Sequence, residues 1–392
     1  MRYEIAFGTI GSLSALLMLI GCGSGDVVTS ENVGTQAEPL AELGVPSALL
    51  TKQVPKQAIG EWHKVMSKAP LPENRCFRAS HPSMNWEEVP CGAAPSASHL
   101  RPWAGRSRTF GATVAPETVG AHSGDSSVTA SSISSVAGSF PSVSGVLLED
   151  DPRPGAFSLQ INSNTFGSDA TTGACTVCAG HADCKCWQQF VFDNPSPLDD
   201  SASYVYTQRW LLSYGSSCPS SEWTHIDVPE LGGCCFNNSH IGTFEIQKIT
   251  NLANLALTAT AVAGGNDTLA IFNAETGQLV ATSAPDSVLG LSHAWNFAEF
   301  NVFGRNNAKV AAFNPGSTLV ARMSVTNGTT ASPTCATKSE SGETNNLNLV
   351  PASCCATGGA SPAIEFLETN AAGVNAPFCL LNDIVPIGSL LQ

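Results

Sequence analysis

Charge is scarce in this chain. Only 13% of its 392 residues are charged, and 18 Lys and Arg face 32 Asp and Glu, for a formal net charge of −14. Such a surface has no means of neutralising a phosphate backbone, so nucleic acid is excluded as a partner. Familiar catalytic signatures are missing as well. There is no Gly-x-Ser-x-Gly turn, no His-Glu-x-x-His, no phosphate loop and no dinucleotide fingerprint, which removes positive support for serine hydrolysis, zinc peptidase chemistry and nucleotide use. A membrane-spanning run is also lacking. The apolar stretch that opens at Ile5 is short and interrupted by Gly, Thr and Ser, whereas a span needs ~20 apolar residues.

What that stretch does contain is Leu19-Ile20-Gly21-Cys22, the form of a bacterial lipoprotein signal. Residues 1–21 read as the signal peptide and Cys22 as the lipidated N-terminus. The protein is then expected in the bacterial cell envelope, lipid-anchored in the outer membrane or at the cell surface, with the membrane as a partner through Cys22. Fourteen cysteines less Cys22 leave thirteen, and outside the cytoplasm these oxidise. The odd number leaves one without a partner inside the chain. By proximity Cys76 pairs with Cys91, and Cys175, Cys178, Cys184 and Cys186 pair among themselves. Cys218 pairs with Cys234 or Cys235, and Cys335 with Cys354 or Cys355. The run Cys175-x2-Cys178-x2-His181-x2-Cys184-x-Cys186 has zinc-binding donors, but an oxidising compartment favours disulfides. No metal and no cofactor are expected.

Along the chain, 22–74 reads as a tether with one amphipathic helix around 59–66. Residues 75–144 read as a cysteine-closed loop followed by an irregular, Ser-, Gly- and Pro-rich segment. From 145 to 370 runs of two-residue alternation follow one another, at 157–162, 187–193, 204–212, 241–249, 255–262, 269–273, 295–303, 309–313, 318–325, 346–350 and 363–367, with turn signals between them. This pattern predicts an all-β protein, an antiparallel β-sandwich preceded by a mostly irregular N-terminal region. Residues 371–392 form a C-terminal segment.

Two strands set hydrogen-bonding groups apart from the core. Alternation sends Phe157, Leu159 and Ile161 one way and Ser158, Gln160 and Asn162 the other. In the segment 295–301, Glu299 is expected to share its face with Trp295, Phe297 and Asn301, where an aromatic setting makes a carboxyl harder to ionise. Trp187 with Gln189, and Gln208 with Trp210, form a second polar and aromatic pair suited to gripping an extended peptide or stacking on sugar rings.

Several motifs resemble those of a group of secreted bacterial and fungal proteins that carries no established activity. They are Cys76-Phe77 through Trp86 and Cys91, Gly138-Ser139-Phe140-Pro141, Leu159-Gln160-Ile161-Asn162 and Trp187-Gln188-Gln189-Phe190. They continue with Thr250-Asn251-Leu252, Ala298 to Gly304, and Glu343-Thr344-Asn345-Asn346-Leu347. A second resemblance rests on order. A Leu-Gln strand, a Trp-x-polar-aromatic strand, an Ala-Glu-aromatic strand and then Ala312-Phe313 follow one another as in the glutamic peptidases of the eqolisin type. That resemblance implies a concanavalin A-like jelly roll with Gln160 as catalytic glutamine and Glu299 as catalytic glutamate. Glu299 would take a proton from the attacking water and Gln160 would steady the oxyanion, in acid, with a covering pro-segment within 23–144. Gln189 stands where that family tends to carry an acidic residue, and the Cys-rich insertion before Trp187 is a further departure.

Three functions fit these residues. One is an acid endopeptidase using Gln160 and Glu299, with Trp187, Gln189, Gln208, Trp210, Trp295 and Asn301 contacting a polypeptide substrate. The second is a lectin-like carbohydrate-binding module with a glycan ligand on the same face. The third is a non-catalytic structural lipoprotein of the envelope.

Overall fold

The computed structural model describes residues 56–72, 74–93, 118–120, 125–128, 133–149, 155–195, 201–228, 231–304, 310–337, 341, 344–350 and 353–372. Residues 1–21, expected from the sequence to be a signal peptide, and Cys22 lie outside them. All described residues belong to one compact unit spanning 53–392.

Two sheets, almost entirely antiparallel, stack face to face as a β-sandwich. Among the described residues the smaller, here the front sheet, has nine strands. Its central order is Phe297–Phe303, Phe157–Ser163, Lys185–Asn194, Ser203–Leu212 and Gly232–Asn238. The back sheet has twelve strands and is centred on Ala363–Thr369, Thr318–Thr326, Ser135–Ser144, Leu255–Thr260, Asn266–Asn273 and Gln278–Pro285. Alternation decides which side chains meet between them. Phe157, Leu159, Ile161, Phe190, Phe192, Phe300 and Val302 of the front sheet pack against Val136, Phe140, Leu257, Ile271, Met323 and Phe366 of the back sheet.

The strand Ser135–Ser144 stands where the sequence predicts an irregular segment. It is central in the back sheet, paired with Leu255–Thr260 on one side and Thr318–Thr326 on the other. Its small residues serve close packing. The Phe300 ring lies against Gly138, where a Cβ would stand 2.3 Å from Phe300 Cδ2, and Phe140 meets Phe300 at 5.1 Å between ring centroids. Pro141 falls where the register shifts between Val320 and Arg322, a bulge that tolerates a residue without an N–H.

The tether reading of 22–74 also stops short. Helix Lys56–Met66 places Ile59, Trp62, His63 and Met66 on one side at helical spacing. Trp62 and Met66, with Leu71 beyond the helix, pack on the outer face of the back sheet against Phe77, Ala256, Phe272 and Leu279. The strand Cys76–Ser80 extends that sheet by pairing with Gln278–Pro285. The strand expected at 241–249 is confined to Gly242–Phe244.

Disulfides join Cys76 to Cys91, Cys175 to Cys186, Cys178 to Cys184, Cys218 to Cys235 and Cys335 to Cys354. Cys355 is also disulfide-bonded, and Cys234 is a buried free thiol.

Candidate active site

Register sets polar side chains in a row across the front sheet. Glu299 lies opposite Asn162, Asn162 opposite Gln189, Gln189 opposite Gln208, and Gln208 opposite Asn238. Directly opposed residues point to the same face. The row therefore runs across five strands on the side away from the sandwich core. Beside it lies the pair Gln160 and Asn301, and on its other flank Trp187, Trp210 and Phe236 stand in register.

Hydrogen bonds connect the two residues on which the catalytic reading depends. Gln189 Nε2 donates to Gln160 Oε1 at 3.1 Å and to Asn162 Oδ1 at 3.1 Å. Asn162 Nδ2 in turn donates to Glu299 Oε2 at 3.1 Å, and the Ser341 backbone N–H reaches the same oxygen at 3.2 Å. Gln160 Nε2 donates to Ser158 Oγ at 2.8 Å. Further along, Trp210 Nε1 donates to both Gln189 Oε1 and Gln208 Oε1, at 3.1 and 2.9 Å, and Gln208 Nε2 donates to Asn238 Oδ1 at 2.8 Å.

Of the residues singled out in the sequence, Gln160, Glu299, Gln189, Gln208, Trp187, Trp210 and Asn301 lie on this face. Trp295 does not. The regular strand begins at Phe297, so alternation cannot be carried back two residues. Trp295 instead turns into the inter-sheet core, stacked on Phe190 at 5.7 Å, with Nε1 donating to the Phe297 carbonyl. Trp187 and Trp210 are fully buried in an apolar cluster with Phe236, Leu212 and Val228. Gln160 is 0% exposed and Glu299 2%, so both side chains are closed to solvent.

No protein-family model and no curated protein matches this chain. Among solved structures, the chain is similar to a crystal structure of scytalido-glutamic peptidase with a transition state analog inhibitor. The identity is 14% and the TM-score 0.28, and the alignment covers 64% of this chain and 98% of that one. The similarity is low.

Two buried carboxyls near the front sheet escaped the sequence reading. Glu368 sits on the back-sheet strand Ala363–Thr369, where Ile364 and Phe366 of the same parity belong to the core. Its Oε2 accepts from Asn301 Nδ2 at 3.1 Å. Burial pushes its pKa up to about 7, against the pull of the Asn301 and Asn345 amides. Asp267 faces the core beneath the polar row and accepts from Gln188 Nε2 at 2.8 Å. Burial, then the nearby Asp286, raises its pKa well above the carboxylate range, while Arg209 opposes the shift. Each is a carboxyl in line with core-facing apolar residues of its own strand, Leu269 and Ile271 for Asp267 and Ile364 and Phe366 for Glu368, a mismatch visible in the sequence.

Proposed function

We propose that this chain is an exported, lipid-anchored acid endopeptidase held in a latent state, with Gln160 and Glu299 as its reacting pair. The observation that carries the reading is their placement. They stand on neighbouring strands, on one face, and are joined through Gln189 and Asn162 by hydrogen bonds of 3.1 Å.

Glu299, as the carboxylate, takes a proton from water as that water attacks a peptide carbonyl, then delivers it to the departing amine. The Gln160 amide donates through Nε2 to the oxygen on which negative charge develops. For this Nε2 must leave Ser158 Oγ, and one Glu299 oxygen must turn to water while Asn162 holds the other. Latency is the consequence of burial, since both side chains are closed to solvent. Lipid on Cys22 would keep the enzyme at the envelope, with unfolded polypeptide as the substrate class.

The test is incubation of the purified protein with a denatured protein substrate from about pH 2 to 7, before and after limited proteolysis to uncover the face. Cleavage in acid that disappears in both Glu299→Gln and Gln160→Ala supports the reading. A wild-type protein inert at every pH, before and after uncovering, overturns it.

A further inference from the structure

Glu368 lies on the back sheet, yet its carboxyl bonds to a residue of the strand that carries Glu299. The link is Asn301. That residue is the cross-strand partner of Gln160 and stands two positions from Glu299 on the same strand. Its Nδ2 donates to Glu368 Oε2 at 3.1 Å. Its Oδ1 accepts from the Val302 N–H at 2.7 Å and from Asn345 Nδ2 at 3.3 Å, and Asn345 Nδ2 also reaches the Val302 carbonyl at 3.1 Å. The Asn301 amide is thus fixed at both ends, and one of those ends is a carboxyl from the opposite sheet.

We infer that Glu368 is a positioning residue, which through its hydrogen bond sets the Asn301 side chain and so the seat of its cross-strand neighbour Gln160. The inference deepens the peptidase reading and rests on it for its catalytic meaning. Glu368 is fully buried and its Oε1 has no hydrogen-bond partner among the described residues. A charge there would be poorly compensated. Among the described residues, the strands packed against it bring no cation to it. Thr318–Thr326 places Leu319 opposite, Thr344–Leu349 offers Leu349 and Asn345, and Phe297–Phe303 offers Asn301, its own carboxyl being Glu299. Keeping the proton until about pH 7 lets Asn301 rest in an ordinary neutral hydrogen bond throughout the acid range. Ionisation strengthens the pull on Asn301 Nδ2 and invites water to the buried charge. Both shift the residue paired with Gln160.

Side-chain amide NMR of Gln160 and Asn301, followed from about pH 5 to about pH 8, tests this without needing any turnover. In the wild type both signals move together, with an inflection near pH 7. In Glu368→Gln, which keeps an acceptor for Asn301 but has no proton to lose, both stay flat. Asn301→Ala supplies a second arm should the first variant not fold: Glu368 still titrates and the Gln160 signal no longer follows it. A Gln160 signal that is unmoved in the wild type, or that moves equally in either variant, overturns the inference. Absence of proteolysis in the wild type sinks the peptidase reading alone, and an unresponsive Gln160 sinks this one alone.

Discussion

The imidazole of His63 lies flat on the ring of Phe272, with centroids 4.1 Å apart and planes within 6°. It is the contact through which helix Lys56–Met66 is most exposed to pH. Both ring nitrogens are buried without a hydrogen-bond partner, and the sheet residues facing the helix are apolar, Phe77, Ala79, Ala256, Ala270, Phe272, Leu279 and Ala281. Burial, reinforced by Lys64 on the same helix, lowers the pKa from 6.5 to about 3. A base held below its ordinary value binds its proton more readily when undocked. The docked state is therefore fully favoured above pH 6.5 and loses ground as the pH falls toward 3. The change is worth on the order of a few kcal/mol. Protection of the helix amides against hydrogen exchange, corrected for the intrinsic pH dependence of exchange, should fall between those limits, and His63→Phe should abolish the fall. Equal protection at both ends in the wild type would refute the assignment.

The buried carboxyls act with the opposite sign. Glu368 has a folded pKa of about 7 against an ordinary 4.5, and Asp267 is raised likewise by burial. A folded state that holds its protons more tightly is most favoured below the ordinary value and weakens as the pH rises through the folded one. The melting temperature of the sandwich is expected to fall between about pH 5 and pH 8. Glu368→Gln and Asp267→Asn should each flatten that slope. An unaltered slope in both variants would mean that the titrating groups lie elsewhere.

Gly138 gives a sharper test of packing. A methyl group there meets the Phe300 ring at 2.3 to 2.4 Å, and Phe300 sits between Glu299 and Asn301 on the strand that carries both. Gly138→Ala should cost about 1–3 kcal/mol in urea unfolding through overpacking. Adding Phe300→Leu should recover part of that loss, since the two changes share one contact. Additive losses would place the cost elsewhere.

These cases mark what the sequence reveals and what it hides. The core strands are legible because Phe157, Leu159 and Ile161 alternate cleanly with Ser158, Gln160 and Asn162, and the inter-sheet core takes the first set alone, although every residue of the strand is buried. Ser135–Ser144 is not legible, because a strand squeezed under Phe300 and bulged at Pro141 needs small residues, and small residues look like a loop. Trp295 departs from the expected face because regular alternation begins only at Phe297, after a turn. Gln160 and Glu299 were found as types of residue. Their junction through Asn162 and Gln189 depends on register across three strands, which no local pattern encodes.

Asn162 is the residue to change if that junction matters. Its amide donates to Glu299 Oε2 and accepts from Gln189, so Asn162→Leu breaks both bonds while keeping the branched shape. For an enzyme of the proposed kind kcat should fall by about 10-fold or more, with KM less affected, because the loss bears on the orientation of Glu299. Asn162→Asp is more telling. It sets a second carboxyl within hydrogen-bond distance of the first, and two such groups share a proton instead of ionising together. The acid limb of the pH–rate profile should then move upward by about a pH unit or more, while the fold, judged by circular dichroism, is retained. A profile that keeps its position in Asn162→Asp would show that Glu299 is not the group whose ionisation governs cleavage.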